Sequence, residues 1–248
     1  MELPPLFPAT FVRRVNRFRA EVRLPNGVRT HAHVPNSGRL HELFVPGRPV
    51  YLRHAARPGR KTRWDLALVR LPTGLVSVDA RLPNPLLYEA WRTGRLVPWL
   101  QPEEWTWRAE PASPGGRLDF CLRHRTTGQR LWIETKSITL VEDGVGLFPD
   151  APTSRGRRHL AELAERVRAG DRAAVVFVVQ REDARAVAAH NADPAFPAAL
   201  AEAMAAGVEV YAYVAHVTLH QIRLVRAVPV LLRTSKSPKL TEHGLEDV

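Results

Sequence analysis

"GGRLDFCLRHRTTGQRLWIETKS", Gly115 to Ser137, holds two apolar stretches joined by a short polar link, and the second stretch ends in Glu134-Thr135-Lys136. The link from Arg123 to Gln129 contains Gly128 and suits a hairpin between strands over Arg117–Leu122 and Arg130–Ile138. Side chains at i and i+2 of a strand share a face, so Glu134 and Lys136 project together. The hairpin brings Asp119 beside Glu134 while Phe120 and Ile133 enter the core. Two carboxylates converging at a strand end supply hard oxygen ligands for Mg²⁺, with Mn²⁺ as a substitute, and a neighbouring ammonium stabilises charge developing on phosphate. The same pattern also fits a surface ion pair worth about 0–1 kcal/mol. One compositional fact favours the site. Lysine occurs only at Lys61, Lys136, Lys236 and Lys239 among 36 basic residues, so a compact ammonium rather than a guanidinium inside this strand points to a specific need.

Outward from the hairpin, a loop is expected from Glu142 to Thr153, then a helix from Ser154 to Ala169 ended by Gly170. A buried strand over Ala173–Val179, a helix near Ala198–Ala206 and a strand over Val208–Val214 follow. This alternation predicts right-handed crossovers and a mostly parallel sheet, an α/β domain. Arg155, Arg157, Arg158 and His159 crowd the first turns of the helix at Ser154, where cations oppose the helix dipole and a docked phosphate would offset that cost. Asp150 is a further acid, read as capping a turn. Upstream, Asn84 is expected to cap a helix with Pro85 at its first position and Gly94 at its end, which makes Glu89 on that helix a candidate third acid.

The first third reads as all-β. Phe18, Ala20, Val22 and Leu24 alternate with Arg17, Arg19, Glu21 and Arg23; Asn26-Gly27 turns the chain, and Val28, Thr30, Ala32 and Val34 continue the apolar face. With strands expected at Arg48–Arg53, Thr62–Leu71 and Leu75–Ala80, five short strands fit a small barrel such as an OB-fold. Arg13, Arg14, Arg17 and Arg19, interleaved with Phe11 and Phe18, are candidates to follow a phosphate backbone. Alternation places Phe18 in the core. "PNSGRL" is a turn whose Asn36, Ser37 and Gly38 amides, with Arg39 nearby, could cradle a phosphate; Arg63 beside Trp64 could extend that face. His31 and His33 share a strand face but lack a third zinc ligand.

The chain has 248 residues, 36 Lys and Arg against 25 Asp and Glu, and a formal charge of +11, a field that attracts polyanions. Its single cysteine, Cys121, excludes an internal disulfide and suits a reducing compartment. No apolar run is long enough to span a bilayer, and the N-terminus has no signal-like core, so a cytoplasmic protein without a membrane partner is expected.

"GGRLDF", "IETKS", "FPDAPTSRGRRHL" and "HAHVPNSGRL" together resemble the sugar fermentation stimulation protein A family, from about Phe11 to Leu232. The resemblance implies an N-terminal OB-fold and a C-terminal domain similar to PD-(D/E)XK nucleases. It also implies DNA binding of low sequence specificity and a role in regulating sugar use, maltose especially. On this chain the nuclease-like acids fall on Asp119 and Glu134, the lysine on Lys136, and a helix acid on Glu89. The middle residue of Glu-x-Lys, commonly valine in the family, is Thr135 here. The expected organisation is residues 1–82 as the nucleic-acid-binding barrel, 83–233 as the nuclease-like domain and 234–248 as a loose tail. The partner is DNA, single- or double-stranded. An active Mg²⁺-dependent nuclease, a regulator that binds without cutting, and a single-stranded RNA-binding module remain open alternatives.

Overall fold

The computed structural model describes residues 1–55, 58–94, 100–113 and 116–231, so the expected tail lies outside the described residues. The first third is a barrel of β1 (Leu6–Asn16), β2 (Arg19–Arg23), β3 (Arg29–His33), β4 (Pro49–His54) and β5 (Trp64–Leu71), with β6 (Gly74–Ser77) added as a hairpin on β5. The order is β3-β2-β1-β4-β5-β6, and a parallel pairing of Ala32 with Trp64 closes β3 onto β5. Its interior is filled by Phe11, Val22, Leu40, Leu43, Leu52 and Leu66, all essentially without exposure; each such side chain contributes about 1.5–3 kcal/mol.

Two expectations change here. The strand over Leu6–Asn16 escaped the alternation because β1 carries register shifts against β2 between Phe11 and Arg13 and between Arg14 and Asn16, which break the two-residue period. Phe18 is not core. The chain turns at residues 17 and 18, the Asn16 carboxamide accepts from the Phe18 amide at 2.9 Å, and the ring is 49% exposed.

Two buried carboxylates organise arginines at the barrel's open end. Asp65 accepts from Arg53 at 2.7 Å and from Arg60, and Asp79 is bidentate with Arg81 at 2.6 and 2.7 Å. Burial pushes the Asp65 carboxyl up, but the Arg53 and Arg60 guanidiniums together hold it below its ordinary 3.8. A depressed carboxyl adds stability above the ordinary value and loses it as pH falls through the depressed one. Asp65→Asn is therefore expected to cost about 1–2 kcal/mol at neutral pH, discounted because the arginines are partly solvated. The gap to wild type should close as pH drops below 3.8, and urea midpoints across that range check it.

The remainder, from Pro83 on, is built on a six-stranded sheet. After α1 (Pro83–Arg92) come β7 (Trp105–Ala109), the short ribbon β8 (Ala112–Ser113) and β9 (Gly116–Arg117), then β10 (Phe120–His124) and β11 (Arg130–Ile138). These lead into β12 (Val141–Glu142), β13 (Val145–Phe148), α2 (Ser154–Arg168), β14 (Arg172–Val179), β15 (Ala186–Ala189), α3 (Phe196–Ala205), β16 (Glu209–Val217), β17 (Ile222–Ala227) and β18 (Val230–Leu231). The main sheet runs β17-β16-β14-β11-β10-β7. Only its central strands β11, β14 and β16 are parallel; both flanks are antiparallel, so the sheet is mixed rather than mostly parallel. The expected loop at Glu142–Thr153 contains the β12–β13 hairpin, turned at Asp143 (φ 50) and Gly144 (φ 77). Asp-Gly is a strong signal for such a turn.

The sheet is packed on both faces. α2 and α3 cover one through Leu160, Leu163, Phe196 and Leu200 against Trp132, Val175 and Phe177. α1 covers the other through Leu86, Leu87 and Trp91 against Ile133 and Val176, and the barrel's Leu68 and Leu75 join that same core. Barrel and sheet thus share apolar packing. Polar ties reinforce it: Ser77 N donates to Gln180 O at 3.1 Å, and Gln180 Nε2 donates to Asp79 O at 2.9 Å.

Candidate acid–lysine site between the barrel and the sheet

β10 pairs with β11 only as far as Phe120 opposite Ile133. Beyond that point the Thr135 amide has no strand acceptor on this side, and the Asp119 carboxylate takes its place, accepting from Thr135 N at 2.8 Å. Asn84 Nδ2 donates to the other Asp119 oxygen at 2.9 Å. Asn84 therefore does not cap α1, whose N-cap is Leu82 without a side-chain bond; it reaches across to the acid. The Thr135 hydroxyl lies 2.8 Å from Asp119 Oδ2 and within reach of Asn84 Oδ1. A valine could supply neither contact, so threonine here ties the acid to the strand.

Glu134 projects from the opposite face of β11, toward α2. Its Oε1 accepts from Lys136 Nζ at 2.6 Å and contacts His159 Nδ1. The Arg155 Nε–H, which can only donate, lies 3.3 Å from His159 Nε2. That places the imidazole proton on Nδ1, donated to Glu134, and sends the Lys136 proton to the same carboxylate rather than to the ring at 3.3 Å. Glu134, Lys136 and His159 are each at most 9% exposed. Burial pushes the Glu134 carboxyl up, but His159 and Lys136 outweigh it and hold the group below its ordinary range.

One atom of this group is left over. Glu134 Oε2 is buried and has no hydrogen-bond partner among the described residues. An orphaned carboxylate oxygen is costly unless something positive faces it. No group of three or more His, Cys, Asp or Glu among the described residues is placed to hold a metal; both Asp119 oxygens are engaged by Asn84 and Thr135, so the one unpartnered donor oxygen here is Glu134 Oε2. Mg²⁺ keeps several waters and can bind through a single carboxylate, which a donor such as Glu134 Oε2 suits.

Lys136 and Thr135 open onto a cleft of about 430 Å³ whose other wall is the barrel, with Arg17, Asn36 and Ser37 on one side and Arg155 on the other. Of the candidate anion-binding residues, Arg17 and Arg155 are exposed in this cleft. Several others are already engaged. Arg14 donates to the carbonyls of Asn16, Arg17, Asn36, Gly38 and Arg39 at 2.5–3.3 Å, so it holds the turn together. Arg13 is paired with Glu21 at 2.7 Å, and Arg157 with the buried Asp193. Two amides at the expected phosphate cradle are also taken: Gly38 N donates to Asn36 Oδ1 at 2.8 Å and the neighbouring Arg39 N to Asp150 Oδ2 at 2.8 Å. Asp150 thus supplies the anion from within, and so closely that a Cβ at Gly38 would stand 2.2 Å from it. Arg63 is exposed at the foot of β5, and Trp64 packs edge-on against Phe7 and His54. Glu89 is not brought to the other acids; it pairs with the N-terminal ammonium of Met1.

No helix among the described residues is long and apolar enough to cross a membrane. The model of the sugar fermentation stimulation protein RE domain matches residues 81–221, and that of the SfsA N-terminal OB domain matches residues 12–78. A sugar fermentation stimulation protein homolog of Desulforamulus reducens is 42% identical over 93% of this chain and 94% of its own. The homolog of Moorella thermoacetica is 44% identical over 94% of this chain and all of its own. The structure of Pyrococcus furiosus SfsA in complex with Ca²⁺ superposes with a TM-score of 0.84 at 34% identity, covering 93% of this chain and 98% of that one. An OB barrel set against an RE-type sheet, matched over nearly the whole length by these relatives, makes this chain a member of the sugar fermentation stimulation protein family.

Proposed function

We propose that the protein binds DNA with little regard to sequence and holds a divalent cation at Asp119 and Glu134, beside a cleft suited to phosphodiester chemistry. The observation that carries this reading is the buried, partnerless Glu134 Oε2 beside the Lys136 ammonium, at the edge of a cleft flanked by Arg17 and Arg155. The Ca²⁺ in the Pyrococcus furiosus relative supports a site for a hard cation in this fold. When bound, Mg²⁺ supplies Lewis acidity and lowers the pKa of water. The chain's own residues do the rest: Arg17 and Arg155 hold phosphates, Lys136 stabilises negative charge developing on one, and His159 fixes the Glu134 rotamer. A role in regulating sugar use would be exercised through this binding.

Phosphate contacts release counterions, which gives the reading a direct test. Affinity for duplex DNA is expected to fall about a hundredfold or more between about 50 and 200 mM salt and to vary little among sequences. The Arg17→Ala/Arg155→Ala double variant should weaken binding at every sequence and flatten the log–log salt slope by about 1–2. A shallow wild-type slope, or strong preference for one operator in a competition titration, would count against the proposal.

A further inference from the structure

On the barrel, a second depression of about 550 Å³ is lined by Asn16, Phe18, Arg19, His33, Arg60, Lys61, Thr62 and Arg81. Four of these are cations and none is an acid. Asp65 and Asp79 sit behind Arg60 and Arg81 and orient them, while the Arg81 side chain stays 59% exposed. Arg19 Nε is buried without a hydrogen-bond partner among the described residues, which is an unmet demand for an anion or other acceptor.

The aromatic group in this depression is displayed, not stranded. The Phe18 carbonyl accepts from the Val34 amide at 2.9 Å and lies 3.1 Å from His33 Nδ1, and the Phe18 amide is held by Asn16. Its ring stacks over His33, centroids 6.4 Å apart at 27°, with the outer part open to solvent. An exposed phenylalanine costs apolar hydration, and rigid anchoring among cations gives it a flat face for a planar partner.

The groove also adjoins the acid–lysine cleft. Arg17 and Ala80 line the cleft, whereas their chain neighbours Phe18 and Arg81 line the groove. A polymer lying in one reaches the other across the β1–β2 turn. Bases stack on exposed aromatics only when they are free of their own duplex, while cations track the phosphates.

The geometry points to this groove as a single-strand seat: Phe18 stacks an unpaired base of DNA, and Arg19, Arg60, Lys61 and Arg81 bind the flanking phosphates, leading that strand toward Lys136. The inference rests on the DNA-binding reading above and adds to it a preference for single-stranded substrate.

Fluorescence anisotropy of the full chain in EDTA, with a labelled oligothymidylate of about a dozen nucleotides and a duplex of equal length, tests it. Phe18→Ala should weaken single-strand binding about tenfold or more and leave duplex binding within about twofold; Phe18→Trp should restore the single-strand affinity. Single-strand affinity unmoved by Phe18→Ala, or lost in step with duplex affinity, overturns the single-strand seat while DNA binding stands. Wild-type protein that binds neither polymer overturns the DNA-binding reading and the seat with it.

Discussion

Glu134→Gln is expected to lower any Mg²⁺-dependent cleavage of DNA by about a thousandfold or more, and to leave the DNA binding proposed above, measured in EDTA, close to wild type. The amide is nearly isosteric and can still accept from Lys136 and His159 through its oxygen, but it loses the charge that faces a divalent cation. Two contacts argue that the loss lies in the site rather than in the fold. Lys136 lies 2.6 Å from Glu134 Oε1, and the Arg155–His159 pair stands behind the same oxygen, so the shape of the cluster survives the substitution. The charge pattern does not survive, because Lys136 is left as a buried cation without its counter-ion, and unfolding is therefore monitored alongside. The readout separate from catalysis is thermal: Mg²⁺ should raise the melting temperature of the wild type through linkage and leave Glu134→Gln unmoved. Cleavage that persists in the variant would remove Glu134 from the chemistry. Tight binding by a wild type that never cuts, indifferent to EDTA, would make the protein a DNA-binding regulator and leave the Glu134–Lys136 pair as architecture.

Arg14→Ala is expected to destabilise the protein by about 3 kcal/mol, far more than Arg13→Ala one residue away, which should stay within about 0.5 kcal/mol. Arg14 donates to five backbone carbonyls spread over residues 16 to 39 and lies over the Phe44 ring, with its guanidinium 5.3 Å from the centroid. Hydrogen bonds from a charged donor are worth about 1.5–3 kcal/mol each, and partial solvation and non-additivity reduce the sum. Burial pulls the guanidinium below its ordinary pKa, which agrees with a side chain committed to the interior of the turn. Arg14→Lys should recover little, because one ammonium cannot span carbonyls that a planar fork reaches together. Urea midpoints of the three variants settle the order. Equal, small losses at Arg13 and Arg14 would show the network to be dispensable.

These two residues mark where the sequence was legible and where it was not. The Glu-Thr-Lys ending of β11 stood out because strand geometry converts i and i+2 directly into a shared face; the hairpin link was read as setting Asp119 beside Glu134, whereas its carboxylate is taken up by Thr135 and Asn84. The same local logic misplaced Phe18, since the alternation starts its strand at Arg17, whereas residues 17 and 18 form a turn and β2 begins only at Arg19, which leaves the ring outside the core. It misread Asn84 as a cap, although a carboxamide at a helix start can equally reach a neighbouring acid, and here it does. Arg60, Lys61 and Arg81 drew no notice as a group. Arg60 and Lys61 precede Arg81 by about twenty residues, and the three meet only when the segment before β5 and the segment after β6 come together on the barrel.

Period, turn residues and composition are properties of neighbours along the chain. They therefore determined the barrel, the α/β domain, the acid–lysine strand and the net positive charge from the sequence alone. Which arginines are free is a different kind of fact. Arg13, Arg14, Arg17 and Arg19 are chemically alike and nearly adjacent, yet one is paired, one is spent on carbonyls, one faces the cleft and one lines the groove. Only tertiary structure decided that, because a guanidinium's role depends on which carboxylates and carbonyls arrive from distant segments to use its donors.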